Sequence, residues 1–291
     1  PVLRAALAAA DVGPQVIVGG RPLHESERSG EPPWLSLDLI SAVRSYLFQS
    51  GGMFTKHGDI RRKSVSDLGE RFPHVFADQT GVARFRQVIQ VLRNLELVSQ
   101  STAAITPTVD AWIELGELPM EWVQRVVWAA ALAPGLDRAS KIAEWLQRLL
   151  VSPFLDRAFT EGELSILLML AAGDLNETIP AEAVSLLAQI GLVQELPDGE
   201  YCLNRAAARQ LDRYRSTGSV ADDDSFKPTN RPLVIHANLE VTPDPHVDFL
   251  TTIRLSEIAE VLRYDVVPTY ELTEQSVARG RNLRPEESVV D

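Results

Sequence analysis

The chain of 291 residues has a single cysteine, Cys202, so it forms no internal disulfide and offers no cysteine-built zinc site; a reducing, cytoplasmic setting is expected. No uncharged run approaches the ~20 residues of a membrane-spanning helix. The apolar opening, residues 2–10, is interrupted by Arg4 and closed by Asp11, and reads as a short helix rather than a signal peptide. The chain begins at Pro1 rather than Met, as a piece of a longer protein would. There is no Gly-Lys pair, hence no Gly-x-x-x-x-Gly-Lys-[Ser/Thr] loop to cradle ATP phosphates, and no Gly-x-Ser-x-Gly elbow. His236, Asp244, His246 and Asp248 lie close together, but Pro243 and Pro245 break the segment and no helical His-x-x-x-His pair forms. The expectation is a protein that is not an enzyme, with no cofactor and no metal.

Positive charge is also scarce: 28 Lys and Arg against 40 Asp and Glu give a net charge of −12, which argues against a protein basic throughout. The distribution is uneven. Residues 51–100 hold eight basic and five acidic residues, a local +3, whereas residues 101–291 hold 16 and 30, a local −14. Phosphate contacts are local, because charges are screened beyond about 8–10 Å at physiological salt. One basic patch on an acidic protein is therefore compatible with nucleic-acid binding.

The pattern of apolar positions predicts a mainly α fold with small β wings. Residues 1–34 read as a helix and a Gly- and Pro-rich loop. Residues 35–108 read as a first winged helix: Ser36 caps a helix with Leu37, Ile40, Val43, Leu47 and Phe48 at helical spacing, a second helix covers 64–71, a third covers 82–95, and a hairpin follows. Residues 109–158 form a helical connector with Trp112, Trp122, Trp128 and Trp145, a density that suits interhelix packing. Residues 159–215 repeat the winged-helix order, with Thr160 as a cap, a short helix over 180–190, a Pro-Asp-Gly turn between two strands, and a closing helix. Residues 216–231 are polar and acidic and read as a linker. Residues 232–291 read as a small α+β unit of order ββαβα.

On the third helix of the first unit, Arg86, Gln90 and Arg93 form one stripe, with Val82, Phe85, Ile89, Leu92 and Leu95 opposite and no acidic residue between Gln79 and Leu95. Arg61, Arg62 and Lys63 precede the second helix. Long donors without neighbouring carboxylates suit phosphates and base edges of duplex DNA; the same stripe also suits a merely solvated helix face. The matching helix of the second unit carries Glu182 and no basic residue, so that unit is expected to pack on protein. Arg205, Arg209 and Arg213 on the closing helix are expected to pair with Asp212 or with Asp222, Asp223 and Asp224.

The C-terminal stretch LVIHANLEVTPDP, then FLTTIRLSEIAEVLR, then DVVPTYELTEQSVARGRNL resembles the N-terminal domain of the XPB family of DNA helicases, most closely over YELTEQSV at 270–277. The same domain ends bacterial helicase-associated proteins, whose upstream Thr-x-x-Gly-x-Ile and basic residues are matched here by Thr55, Gly58, Ile60, Arg61, Arg62 and Lys63. A similar order of winged helices and an XPB-like domain occurs in the TFIIH subunit that clamps XPB. The close match covers about 60 residues. It implies a docking module without catalytic residues, its docking face expected at Leu233, Ile235, Leu239, Tyr270, Leu272 and Thr273. The partners it implies are an XPB-type helicase, or another chain with the same domain, together with duplex DNA, in DNA repair or transcription. The alternative reading is a transcription regulator whose first winged helix reads DNA and whose remainder dimerises.

Overall fold

The computed structural model describes residues 20–28, 30–50, 52–55, 59–100, 104–133, 135–150, 153–172, 182–218, 233–244, 247–265 and 267–284. Ser36 has extended backbone, and its Oγ accepts the Leu39 N–H at 3.1 Å, which starts helix α1 (Leu37–Gln49). Leu37, Leu39, Ile40, Val43 and Leu47 are buried, but so are Ser41, Arg44 and Ser45. A helix buried all round needs cover on every side. Part of that cover comes from α2 (Arg62–Arg71), α3 (Gly81–Asn94) and the antiparallel hairpin β2 (Val98–Gln100) and β3 (Ile105–Pro107). Tyr46 meets the edges of Phe72 and Phe85 at centroid distances of 5.8 and 6.5 Å, the T-shaped geometry aromatic quadrupoles favour. Gly81 opens α3 because a Cβ there would sit 2.7 Å from the Phe76 Cα.

The connector forms α4 (Val109–Gly116), α5 (Met120–Ala130) and α6 (Leu136–Leu150). Three of its tryptophans bury their rings and donate Nε1–H to a backbone carbonyl elsewhere: Trp112 to Leu97 at 2.7 Å, Trp128 to Leu35 at 2.9 Å and Trp145 to Leu168 at 3.0 Å. Each ring thus fills the core without leaving a polar group unpaired.

The next unit holds α7 (Glu161–Ala172), α8 (Ala183–Gln189), β5 (Val193–Glu195), β6 (Tyr201–Leu203) and α9 (Arg205–Gly218). Thr160 Oγ1 accepts the Glu163 N–H, and Glu163 Oε2 accepts the Thr160 N–H at 2.9 Å, a reciprocal cap for α7. Gly199, at φ +74°, closes the turn between β5 and β6. The hairpin is half of a four-stranded antiparallel sheet of order β1-β4-β6-β5, completed by β1 (Arg21–Pro22) and β4 (Arg157–Phe159). Neither added strand is legible in the sequence: the first falls in the expected Gly- and Pro-rich loop and the second at the boundary between the expected connector and the unit after it. Segments of two and three residues carry no alternation, and only tertiary pairing makes them strands: Arg21 with Ala158, and Ala158 in turn with Cys202 of β6.

The C-terminal unit runs β7 (Leu233–Ile235), β8 (Glu240–Pro243), α10 (Phe249–Ile258), β9 (Glu260–Tyr264), β10 (Pro268–Glu271) and α11 (Glu274–Leu283), with antiparallel sheet order β7-β8-β10-β9. Its order is ββαββα, which corrects the expected ββαβα. Helix α10 stops at Ile258, where Ala259 turns extended (φ −129°, ψ 154°), and the segment that follows, Glu260–Tyr264, pairs with β10 as a further strand. Nor does the unit stand apart. Val241, Phe249, Ile253, Val261 and Tyr270 belong to the same buried cluster as Leu39, Ile40 and Val43 of α1. Of the predicted linker, residues 216–218 are the end of α9 and 219–231 lie outside the described residues. The chain is a mixed α/β, helix-rich fold with small antiparallel sheets and one principal core among the described residues.

Candidate functional site

The predicted basic stripe lies on α3 and on the entry to α2. Phe85, Ile89, Leu92 and Leu95 are buried and Val82 is half-buried, while Arg86 and Gln90 are exposed. The stripe is narrower than its spacing implies. Arg93 is half-buried with its Nε sealed off, because the end of α3 is held against α5 by Asn94, whose Nδ2 donates to the Ala130 carbonyl at 2.7 Å. Arg86 donates to Asp59 Oδ1 at 2.7 Å, and Gln90 donates to Asn94 Oδ1 at 2.8 Å. Arg61 is exposed, its Nε on the Phe54 carbonyl at 3.1 Å. Arg62 and Lys63 are exposed on the first turn of α2. Gly58 lies outside the described residues. The cations nearest a shared face are therefore Arg61, Arg62, Lys63 and the Asp59-bound Arg86.

The predicted docking residues divide by burial. Ile235 is 61% exposed and Leu239 54%, and Val234, next to Ile235 on β7, is 48% exposed. These three sit on β7, an edge strand, and on the turn into β8. Leu239 has φ +66°, a left-handed conformation that a leucine adopts at a cost of about 1 kcal/mol or more. Its carbonyl accepts the Leu272 N–H at 3.0 Å, which holds the turn against the end of β10. Leu233 and Leu272 are half-buried. Tyr270 is fully buried, its hydroxyl without a hydrogen-bond partner among the described residues and its pKa pushed up by burial, so it supports the sheet from inside. Thr273 caps α11: its Oγ1 accepts the Ser276 N–H at 3.0 Å, and Ser276 Oγ accepts the Thr273 N–H at 3.0 Å. The YELT run is thus a buried strand end and a helix start.

What sequence reading missed is the seam under this unit. Arg44 on α1 is fully buried; its Nη2 donates to Glu257 Oε1 at 2.6 Å and its Nη1 to the Ile253 carbonyl at 2.7 Å and Ser256 Oγ at 2.6 Å. Arg284 donates to the other carboxylate oxygen at 2.8 Å. Ser45 donates to the Ala259 carbonyl and accepts the Val261 N–H, each at 2.9 Å, and Arg71 donates to the Val261 carbonyl at 2.6 Å. Phe48 lies between Arg44 and Arg279, with both guanidinium carbons about 5 Å from its ring. Burial pushes Arg44 below its usual arginine value, and Glu257 opposes that shift. An Arg at the centre of an apolar helix pattern is the one signal that pointed here.

Elsewhere, Asp248 caps α10 by accepting the Thr251 N–H at 2.8 Å, and His246 lies outside the described residues. No group of three His, Cys, Asp or Glu among the described residues is placed to hold a metal. Burial pushes the Cys202 thiol up to about 11, which keeps it protonated at neutral pH. On α9, Arg205 pairs with Asp156 rather than with the residues expected, and Asp222, Asp223 and Asp224 lie outside the described residues. No described helix is long and apolar enough to cross a membrane. Compared with known proteins, the chain matches no family model and no curated sequence.

Proposed function

We propose that the chain is a non-catalytic accessory protein that engages an XPB-type DNA helicase through the β7–β8 hairpin and holds duplex DNA against the α2–α3 face. The observation that carries the reading is the hairpin: two exposed apolar side chains on an edge strand and a third, in a strained left-handed conformation, on its turn. An edge strand offers unpaired backbone groups to a partner strand, and apolar neighbours supply the area that makes such pairing specific. Helix order and a following hairpin in both N-terminal units support two winged helices, of which the first carries the cations. The unit is not a tethered arm. Its seam with α1 ties the proposed docking hairpin to the helices that carry the cations, a stiffer arrangement than a linker would give.

The test is binding of the purified chain to an XPB-type helicase of the same organism, measured by calorimetry. Ile235→Lys combined with Leu239→Gly is expected to abolish binding while leaving the melting temperature unchanged or raised, since glycine is at home at φ +66°. Unaltered affinity in that variant would reject the hairpin as the docking face. For DNA, Arg62→Ala with Lys63→Ala is expected to lower the salt slope of duplex binding by about two. An unchanged slope would remove the DNA half of the reading, and selective binding of a palindrome by a homodimer would favour a transcription regulator instead.

A further inference from the structure

A second feature lies away from both surfaces, where α5, α6 and α9 border a cavity of about 880 Å³. Its lining includes Glu121, Trp122 and Arg125 from α5, Glu144 and Arg148 from α6, and Arg215 from the last turn of α9. Arg125 is only 5% exposed. Its guanidinium lies over the Trp122 ring at 5.4 Å, yet its Nε and Nη1 are sealed from solvent with no hydrogen-bond partner. Burial pushes Arg125 below its ordinary value; Glu121 opposes the shift and Arg215 adds to it. A buried guanidinium without a bound anion is costly, because desolvation of the charge is not repaid by pairing. Arg44, the other deeply buried arginine, is repaid by Glu257 and two further acceptors, and Arg125 has no counterpart to them among the described residues.

The geometry points to a binding site here for a small organic phosphate bearing one phosphoryl group, which takes the place of the missing counter-charge. Three arginines against two glutamates leave the lining at +1, the sign that a single phosphate of about −1.5 to −2 requires and too little for a polyanion such as a nucleic-acid strand, which the carboxylates repel. The carboxylates of Glu121 and Glu144 accept from hydroxyl or amine donors on the body of such a ligand, and Trp122 supplies an aromatic wall. The volume is that of a small-molecule pocket, larger than bare phosphate requires. Arg125 meets the phosphoryl oxygens through Nη2, the guanidinium nitrogen that is not sealed, and Arg215, on an exposed helix end and 3.5 Å from Asp212, faces them from the other side.

The probes are inorganic phosphate, adenosine monophosphate and adenosine, each titrated calorimetrically into the full chain. Both phosphates are expected to bind and adenosine to bind far more weakly. Tighter binding of the nucleotide than of inorganic phosphate identifies a site for the whole ligand, and equal binding assigns phosphate itself; either supports the anion site. Arg125→Met keeps the volume and removes the buried charge, so it is expected to fold at least as well as the parent and to bind adenosine monophosphate about tenfold or more weakly. Arg215→Ala, an exposed position, is expected to weaken binding similarly and keeps the test valid if Arg125→Met fails to fold. Arg209→Ala, exposed on α9 outside the cavity, is expected to change nothing. No binding of either phosphate to the parent, equal binding of adenosine and its monophosphate, or unaltered affinity in both cavity variants would overturn the proposal.

Discussion

Replacing Glu257 with alanine is expected to destabilise the protein by about 3–5 kcal/mol, measured by urea unfolding. The carboxylate is 2% exposed and holds two guanidinium groups, Arg44 at 2.6 Å and Arg284 at 2.8 Å. Without it, Arg44 remains fully buried between Phe48 and Trp112 with only the Ile253 carbonyl and Ser256 hydroxyl for partners. Breaking a buried pair from one side costs more than exchanging both members for apolar groups, because the surviving charge stays desolvated. Arg44→Met together with Glu257→Leu is therefore expected to be less destabilised than Glu257→Ala alone. A loss below about 1 kcal/mol in the single variant, the scale of an exposed pair, would show that the charges are solvated and the seam is held by apolar contact only.

Deleting residues 232–291 is expected to unfold or aggregate the remainder rather than leave it intact. The deletion removes α10 and β9, which pack on α1, and with them the acceptors of Arg44, Ser45 and Arg71. It also removes the Tyr264 hydroxyl that meets Ser36 Oγ, the α1 cap, at 3.0 Å. Each large apolar side chain of α1 and α4 returned to water costs about 1.5–3 kcal/mol, against a total stability of about 5–15 kcal/mol for a typical protein. The readouts are binding of a hydrophobic dye and loss of a cooperative thermal transition. A truncated chain that melts cooperatively near the parent temperature would show that the C-terminal unit is an appendage. Point variants in the β7–β8 hairpin are for this reason the sound way to separate docking from folding.

Several features were legible because their causes span only a few residues. Ser36, Thr160 and Thr273 each satisfy an orphan N–H of the helix they precede, and Ser36 and Thr160 are placed as caps by the sequence pattern alone. The buried face of α3 follows from spacing, and the turn at Gly199 from its Pro-Asp-Gly run. Burial of the connector tryptophans was also legible, although not their individual carbonyl partners. The candidate surfaces were legible only as lists of residue types. Arg86 and Arg93 look equivalent on a helical wheel, yet one meets Asp59 from 27 residues away and the other is shaded where α3 meets α5. Tyr270 and Ile235 look equally strand-like, and one is buried while the other faces outward.

The sequence by itself determined where most helices begin, which of their faces are apolar and where tight turns fall, since capping and periodicity act within about four residues. Only the tertiary structure decided that Arg21 and Pro22 become a strand against residues 157 and 158, and that the segment after Ile258 leaves the helix to pair with β10. It alone brought Arg44 to Glu257 across 213 residues, turning an expected tethered module into part of a shared core. Strand pairs this short and ion pairs this distant have no local signature: their free energy exists only once the chain has closed the intervening loop and excluded water from both partners.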